Sequence, residues 1–335
     1  MYEITGAECG SRHDFTVASR IPHRLAVAPT GPYSPSVAGH LGEAGEEVLF
    51  PASLSPSRTN DFLTCPLMYR LRNIDRLPEM PSPAAVRGSL VHRALEWLYS
   101  EPAASRTPET AARLILRAWE ELCAQDPESA RVLAEDSGAA LIGVTSRESA
   151  ELVRDSTKPL LDGYFALENP GRLEPHAREL AVSADVGQGL TIRGYVDRVD
   201  RTPAGDVRIV DYKTGKAPRA GFETKAMFQM RFYALTWWRM THEIPRMLML
   251  LYLGNRQALT YAPELDDLQA TERKIFAIRR AIHSAATTGV FEAKPSRLCD
   301  WCSFQSLCPA KGGMTPPMPP LPMVALDRRV PPGVE

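Results

Sequence analysis

The chain has 335 residues, enough for one large domain or two small ones, and its 44% hydrophobic and 24% charged residues are ordinary for a globular protein. A formal net charge of -1 supplies no global basic field, so nucleic-acid binding would have to use a local basic groove. No apolar run reaches membrane-spanning length and residues 1–50 lack a secretory signal, so the six cysteines point to a reducing, cytoplasmic setting in which spaced thiols more often hold metal than pair with each other.

Residues 1–50 are rich in Gly, Pro, Ser and Ala without a sustained period, and read as a disordered extension. Ser57 is expected to cap a short helix that stops near Cys65-Pro66. Pro83 to Ser100 has Val86, Leu90, Ala94 and Leu98 at helical spacing. Thr107 to Ala124 begins with a capping threonine and Pro108, then carries Ala112, Ile115, Leu116 and Trp119 as its stripe. A longer helical stretch is expected over Ala139 to Leu167. The period then shortens: Glu179 to Ser183, Leu190 to Val199 and Val207 to Tyr212 alternate as strands, with turns at Gly187-Gln188-Gly189 and Pro203-Ala204-Gly205-Asp206. A helix from Thr224 to Thr241, strands at Met247–Leu253 and Ala258–Tyr261, and a last helix from Pro263-Glu264 to Thr288 follow. From Gly312 the prolines read as a flexible tail, residues 312–335, which leaves 51–311 as the folded part. The fold class is mixed α/β, a small, mostly antiparallel sheet with a helical insertion and no internal repeat.

The acidic centre lies in the strands. Asp197 is expected to end one strand of a hairpin and Asp211 the next, with Lys213 two residues on and so on the same face as Asp211. Two carboxylates this close repel unless a cation sits between them, and hard oxygen ligands suit Mg²⁺ or Mn²⁺. A lysine beside such an ion can orient water or stabilise charge on a phosphate. Asp-Tyr-Lys alone also describes a solvated turn with a surface ion pair; its neighbours separate the two readings. Gly88 stands one helical turn before His92, a possible imidazole ligand, and glycine inside a helix marks a close approach by other groups. Gln229 and Tyr233 share one helix face, while Phe228, Phe232 and Leu235 take the packing side.

Cys65, Cys299, Cys302 and Cys308 form a second constellation, C-P far from a C-x2-C-x5-C-P run. Four thiolates suit an iron–sulfur cluster or structural zinc, and either would tie the first helix to the C-terminal segment. Cys9 and Cys123 stand apart from it. Arg58, Arg70, Arg72, Arg87 and Arg93, then Lys216, Arg219 and Lys225, are candidate phosphate contacts, and Trp237, Trp238 and Trp301 candidate stacking platforms. At least one of Trp237 and Trp238 must face inward.

Taken in order, Ser55-Pro56-Ser57, Cys65-Pro66, Gly88 to His92, Gly194-Tyr195-Val196-Asp197-Arg198-Val199-Asp200, Asp211-Tyr212-Lys213-Thr214-Gly215, Gln229 to Tyr233 and Cys299 to Cys308 resemble the RecB-like branch of the PD-(D/E)XK nuclease superfamily. The resemblance implies a restriction-endonuclease-like core, with His92, Asp197, Asp211 and the Tyr212 carbonyl on the catalytic ion, Lys213 as the catalytic lysine, and Gln229 and Tyr233 completing the site. It also implies a 4Fe-4S cluster on Cys65, Cys299, Cys302 and Cys308, as in AddB-type and CRISPR-associated relatives. The implied activity is a Mg²⁺- or Mn²⁺-dependent deoxyribonuclease, an exonuclease on single-stranded or end-containing DNA in repair or recombination. A nuclease-fold DNA-binding subunit of a helicase–nuclease complex is the alternative. No phosphate-binding loop for a nucleotide motor occurs in the sequence, so any helicase would be a separate partner.

Overall fold

The structure is a computed structural model that describes residues 3–5, 50–139, 143–218 and 224–320. Strand β1 is Glu3–Thr5 and β2 is Ser53–Leu54. Helices α1 (Pro56–Thr64), α2 (Pro66–Tyr69), α3 (Pro83–Leu98), α4 (Pro108–Gln125), α5 (Pro127–Ala134) and α6 (Arg147–Leu167) precede the main strands β3 (Ala177–Asp185), β4 (Thr191–Arg201) and β5 (Val207–Lys213). Helix α7 (Thr224–Thr241), strands β6 (Met247–Tyr252) and β7 (Gln257–Tyr261) and helix α8 (Leu265–Thr288) complete the body.

The strands form one mixed sheet in the order β1-β7-β6-β5-β4-β2, with β3 also paired to β4. It is less antiparallel than expected, because β5 runs parallel to β6 and β2 parallel to the start of β4. A parallel pair needs a crossover, and α7 provides it. Central β5 and β6 are buried along nearly their whole length because helices cover both of their faces. Val207, Ile209, Leu248 and Leu250 pack with Phe228, Phe232 and Leu235 of α7 and Ile275, Ile278 and Ile282 of α8. Val210, Tyr212, Met249 and Leu251 pack instead with α3, α4 and α6, so α3 to α6 form the other layer.

Several element ends differ from expectation for local reasons. Helix α1 is capped by Ser55, whose Oγ accepts from Arg58 N–H at 3.3 Å, and not by Ser57. Pro56 occupies the first helical position, so the cap has to precede it. The stretch expected as one helix over Ala139 to Leu167 contains α6 only from Arg147, and a separate helix α5 precedes it, capped by Asp126 with Pro127 next. The buried stripe of α4 is Ala111, Leu114, Ile115, Ala118 and Trp119, with Ala112 and Leu116 at its margin.

At the termini, Glu3–Thr5 pairs with β7, while the remainder of the expected extension, Cys9 included, lies outside the described residues except for Phe50. Beyond Lys311 the chain stays on the body. Arg70 Nη2 donates to the Pro316 carbonyl at 2.6 Å, and Met318 packs against the α7–α8 core. Residues 321–335 of the expected tail lie outside the described residues.

Candidate active site

The site forms where β4 and β5 part. Their antiparallel pairing covers Arg198 to Arg201 against Val210 to Val207 and ends there. The next amide on β5, Tyr212 N–H, has lost its ladder partner and donates to Asp197 Oδ2 at 2.7 Å. Asp197 therefore does not end its strand, as expected, but lies inside β4 at the fork and bridges the two diverging strands. The β3–β4 ladder keeps one register from Arg178–Arg198 to Leu180–Val196 but lacks the pair between them, where Glu179 lies opposite Asp197 with a φ of 43°. A glutamate in the left-handed region is uncommon and costs conformational energy. This break in alternation turns Asp197 toward α3, while Val199, two residues on, packs in the α7–α8 core.

Asp211 and Lys213 project from β5 toward α7. Lys213 Nζ meets Asp211 Oδ2 at 2.6 Å and donates to Gln229 Oε1 at 3.0 Å. Gln229 Nε2 in turn donates to Asp211 Oδ1 at 3.0 Å and reaches the Tyr233 hydroxyl at 3.1 Å. One amide thus orients both the carboxylate and the ammonium, and the four-residue spacing of Gln229 and Tyr233 on α7 makes this possible. The Tyr233 ring lies over β4 because residue 194 is glycine: a Cβ there would stand 2.7 Å from Tyr233 Cε1. Burial pushes the Asp211 carboxyl up against the opposing Lys213 charge, with Asp197 adding to the rise.

On the α3 side, His92 Nδ1 stands 3.4 Å from Asp197 Oδ2. Gly88 brings α3 close to the end of β5: a Cβ there would lie 3.1 Å from Thr214 Oγ1, the close approach expected for a helical glycine. His92, Glu179 and Asp197 each offer a ligand atom within 4.8 Å of the other two, the one such trio among the described His, Cys, Asp and Glu residues. Burial opposes charge on His92, but the bond and charge of Asp197, then Asp211 and Glu179, outweigh it and raise its pKa. Burial, then Asp197, pushes Glu179 up to about 7. Three carboxylates around one imidazole and one ammonium fit a hard divalent cation, which relieves the repulsion among them. Glu179 is the residue that sequence reasoning left unassigned. Its signal is a cross-strand register that only pairing with β4 reveals.

The other charged candidates do different work. Arg198, next to Asp197, is fully buried and holds Glu168 through both terminal nitrogens at 2.7 Å, with Asp200 and the hydroxyls of Tyr99 and Tyr212 around it. Arg70, Arg72, Arg87 and Arg93 are not a free phosphate-binding cluster as expected. They pair with Asp75, with Asp61 and Glu79, with Asp136, and with Glu96 respectively. Arg58 donates to Ser53 Oγ at 3.5 Å. Lys216 is exposed, and Arg219 and the Lys225 side chain lie outside the described residues. Trp237 is buried and Trp238 half-buried beneath Arg239, whereas Trp301 is 79% exposed.

At the far end, Cys65, Cys299, Cys302 and Cys308 all line one cavity of about 60 Å³. Backbone N–H groups of Lys294 and Ser296 donate to the sulfurs of Cys65 and Cys299 at 3.4 and 3.2 Å. No three of the four sulfurs lie within 4.8 Å of one another. Cys123 sits apart on α4.

Residues 53–309 match the family model of the PD-(D/E)XK nuclease superfamily, and the chain belongs to that superfamily. Membership implies a metal-dependent hydrolase acting on DNA. No curated protein matches the chain. A solved structure described as "Crystal structure of SSO0001" is similar at 15% identity over 58% of this chain and 82% of that one, with a TM-score of 0.29, too loose a likeness to carry an argument. No helix among the described residues is long and apolar enough to cross a membrane.

Proposed function

We propose that this chain is a Mg²⁺- or Mn²⁺-dependent deoxyribonuclease of the RecB-like branch, an exonuclease on single-stranded or end-containing DNA in repair or recombination. The observation that carries the reading is the fork itself. There His92 faces Asp197, Lys213 pairs with Asp211, and the Asp197–Tyr212 hydrogen bond joins the two pairs, although Asp211 stands outside the His92–Glu179–Asp197 trio. His92, Asp197, Asp211 and the Tyr212 carbonyl would hold the ion, with Glu179 beside them. The bound ion would supply Lewis acidity to the phosphate and lower the pKa of attacking water. Lys213 stabilises charge on the phosphate, Gln229 holds Lys213 and Asp211 in register, and Tyr233 holds Gln229.

The cysteine end supports a 4Fe-4S cluster over zinc. A tetrahedral zinc ion with Zn–S bonds near 2.3 Å would draw all four sulfurs to about 3.8 Å from one another. These sulfurs line one cavity, no three of them lie within 4.8 Å of one another, and two accept backbone N–H bonds of the kind that tune cluster potentials. The site's role is to staple α1 and α2 to the segment after α8.

The test uses the full chain, purified anaerobically, with end-labelled single-stranded and duplex DNA in Mg²⁺ or Mn²⁺. Wild type is expected to cleave and Lys213→Ala to leave the DNA intact. Equal degradation by the two proteins would overturn the assignment.

A further inference from the structure

Beside the fork runs an open groove of about 680 Å³. One wall is the small-residue face of α3, Ala84, Ala85, Gly88 and Ser89, and the other includes Tyr195 of β4. Tyr195 is the one Phe, Tyr or Trp lining the groove, and the residue is 55% exposed. It has no hydrogen-bond or ring partner among the described residues, and its cross-strand neighbour on β3 is the exposed, small Ala181, so none of the described residues covers it. Folding does not account for a bare aromatic in this position.

Its placement relative to the chemistry is specific. Tyr195 precedes Asp197 by two residues, both turn toward α3, and two residues of strand span about 6.6 Å. That is within the reach of one nucleotide in an extended strand. A phosphate held at the fork would therefore set its neighbouring base over the tyrosyl ring. The groove is also poor in free positive charge, since Arg93, its one Arg or Lys, pairs with Glu96. Grip there must come from stacking more than from phosphate contacts. Stacking on a side chain requires a base that is not already stacked in a duplex.

We propose that Tyr195 is a substrate-positioning residue that stacks on the unpaired base next to the scissile phosphate and so selects single-stranded DNA at the site. The proposal rests on the nuclease reading above. Base–aromatic stacking of about 1–3 kcal/mol corresponds to about a 5- to 150-fold change in binding.

The test compares Tyr195→Ala, Tyr195→Phe and Tyr195→Leu in the full chain. KM for a single-stranded oligothymidylate is expected to rise about 5-fold or more in the Ala and Leu variants with kcat changed less, and Phe to restore it. In the Lys213→Ala background, a 2-aminopurine placed beside the cleavage position is expected to be quenched by Tyr195 or Phe and not by Ala or Leu. A wild-type KM in Tyr195→Ala, or a Leu variant equal to Phe, would overturn the proposal. Should wild type cleave no DNA, the nuclease reading falls separately. Oligothymidylate binding by the same variants then decides Tyr195: loss with Ala and retention with Phe supports stacking, and equal binding ends it.

Discussion

Replacing Arg198 by Met tests whether the residue next to a metal-binding aspartate belongs to the fold and not to the chemistry. Methionine keeps most of the volume and removes the charge. What remains is Glu168, 8% exposed at its side chain and 3.9 Å from its next cation, Arg208, together with Asp200, which keeps Arg208 at 2.7 Å. The Tyr99 and Tyr212 hydroxyls also lose a donor. Removing one partner from a buried ion pair costs about 3–5 kcal/mol, chiefly because the other charge stays desolvated. For a chain this long each kcal/mol moves the melting temperature by about 2 °C, so a drop of about 6–10 °C is expected in calorimetry. The double variant Arg198→Met/Glu168→Gln should recover much of that loss, since it removes the stranded carboxylate as well. A single variant within about 2 °C of wild type, or a double variant that melts below the single one, would refute the reasoning.

Gly194→Ala should displace the Tyr233 ring and with it Gln229 and Lys213; cleavage is expected to fall at least about 10-fold, with a stability loss of no more than about 3 kcal/mol. A wild-type rate would show that the ring position is immaterial. Affinity for Mg²⁺ or Mn²⁺ should rise with pH. Glu179 is held up to about 7 and His92 is also raised, so protons occupy both at pH 5.5 and must leave before an ion binds. The same sign makes the ion-free chain lose stability as pH rises through 7, because the folded state releases a proton that it held more tightly than the unfolded one. Calorimetric titration showing flat affinity from pH 5.5 to 7.5 would remove Glu179 and His92 from the ligand set. Cys308→Ser should lose iron, sulfide and visible absorbance, whereas Cys123→Ser should keep all three; identical spectra from the two would contradict the cluster.

Much of this architecture was legible because local signals agreed with tertiary needs. Thr107 and Pro108 announce the start of α4, and the apolar run of β6 announces a buried strand. Asp126-Pro127 carries the same cap-and-proline signal for α5, a helix of eight residues that the sequence reading left unassigned between its neighbours. What could not be read depends on distant partners. The arginines look like a basic cluster in the sequence; Asp75, Glu79 and Asp61 lie near enough in the chain to be weighed against them, but only the fold brings Asp136 to Arg87. Glu179 depends on a ladder pair lost at one residue with positive φ, which no local propensity marks.

The distribution of charge across the fork explains why adjacent residues in β4 have opposite duties. Behind the fork, the Arg198 and Arg208 guanidiniums face Glu168 and Asp200, two positive groups against two negative, with all but Glu168 buried and its side chain only 8% exposed. That set is complete, and adding an ion to it would unbalance it. In front, Asp197, Asp211 and Glu179 face one ammonium, Lys213, and one imidazole, His92. Even with His92 protonated, the front set remains one charge short of neutral, and with His92 free to ligate it is two short. A divalent cation supplies that difference. The single hydrogen bond from Tyr212 N–H to Asp197 joins the two sets, because the Tyr212 hydroxyl belongs to the closed one and its backbone to the open one. Rigidity behind the fork thereby sets the position of ligands in front of it.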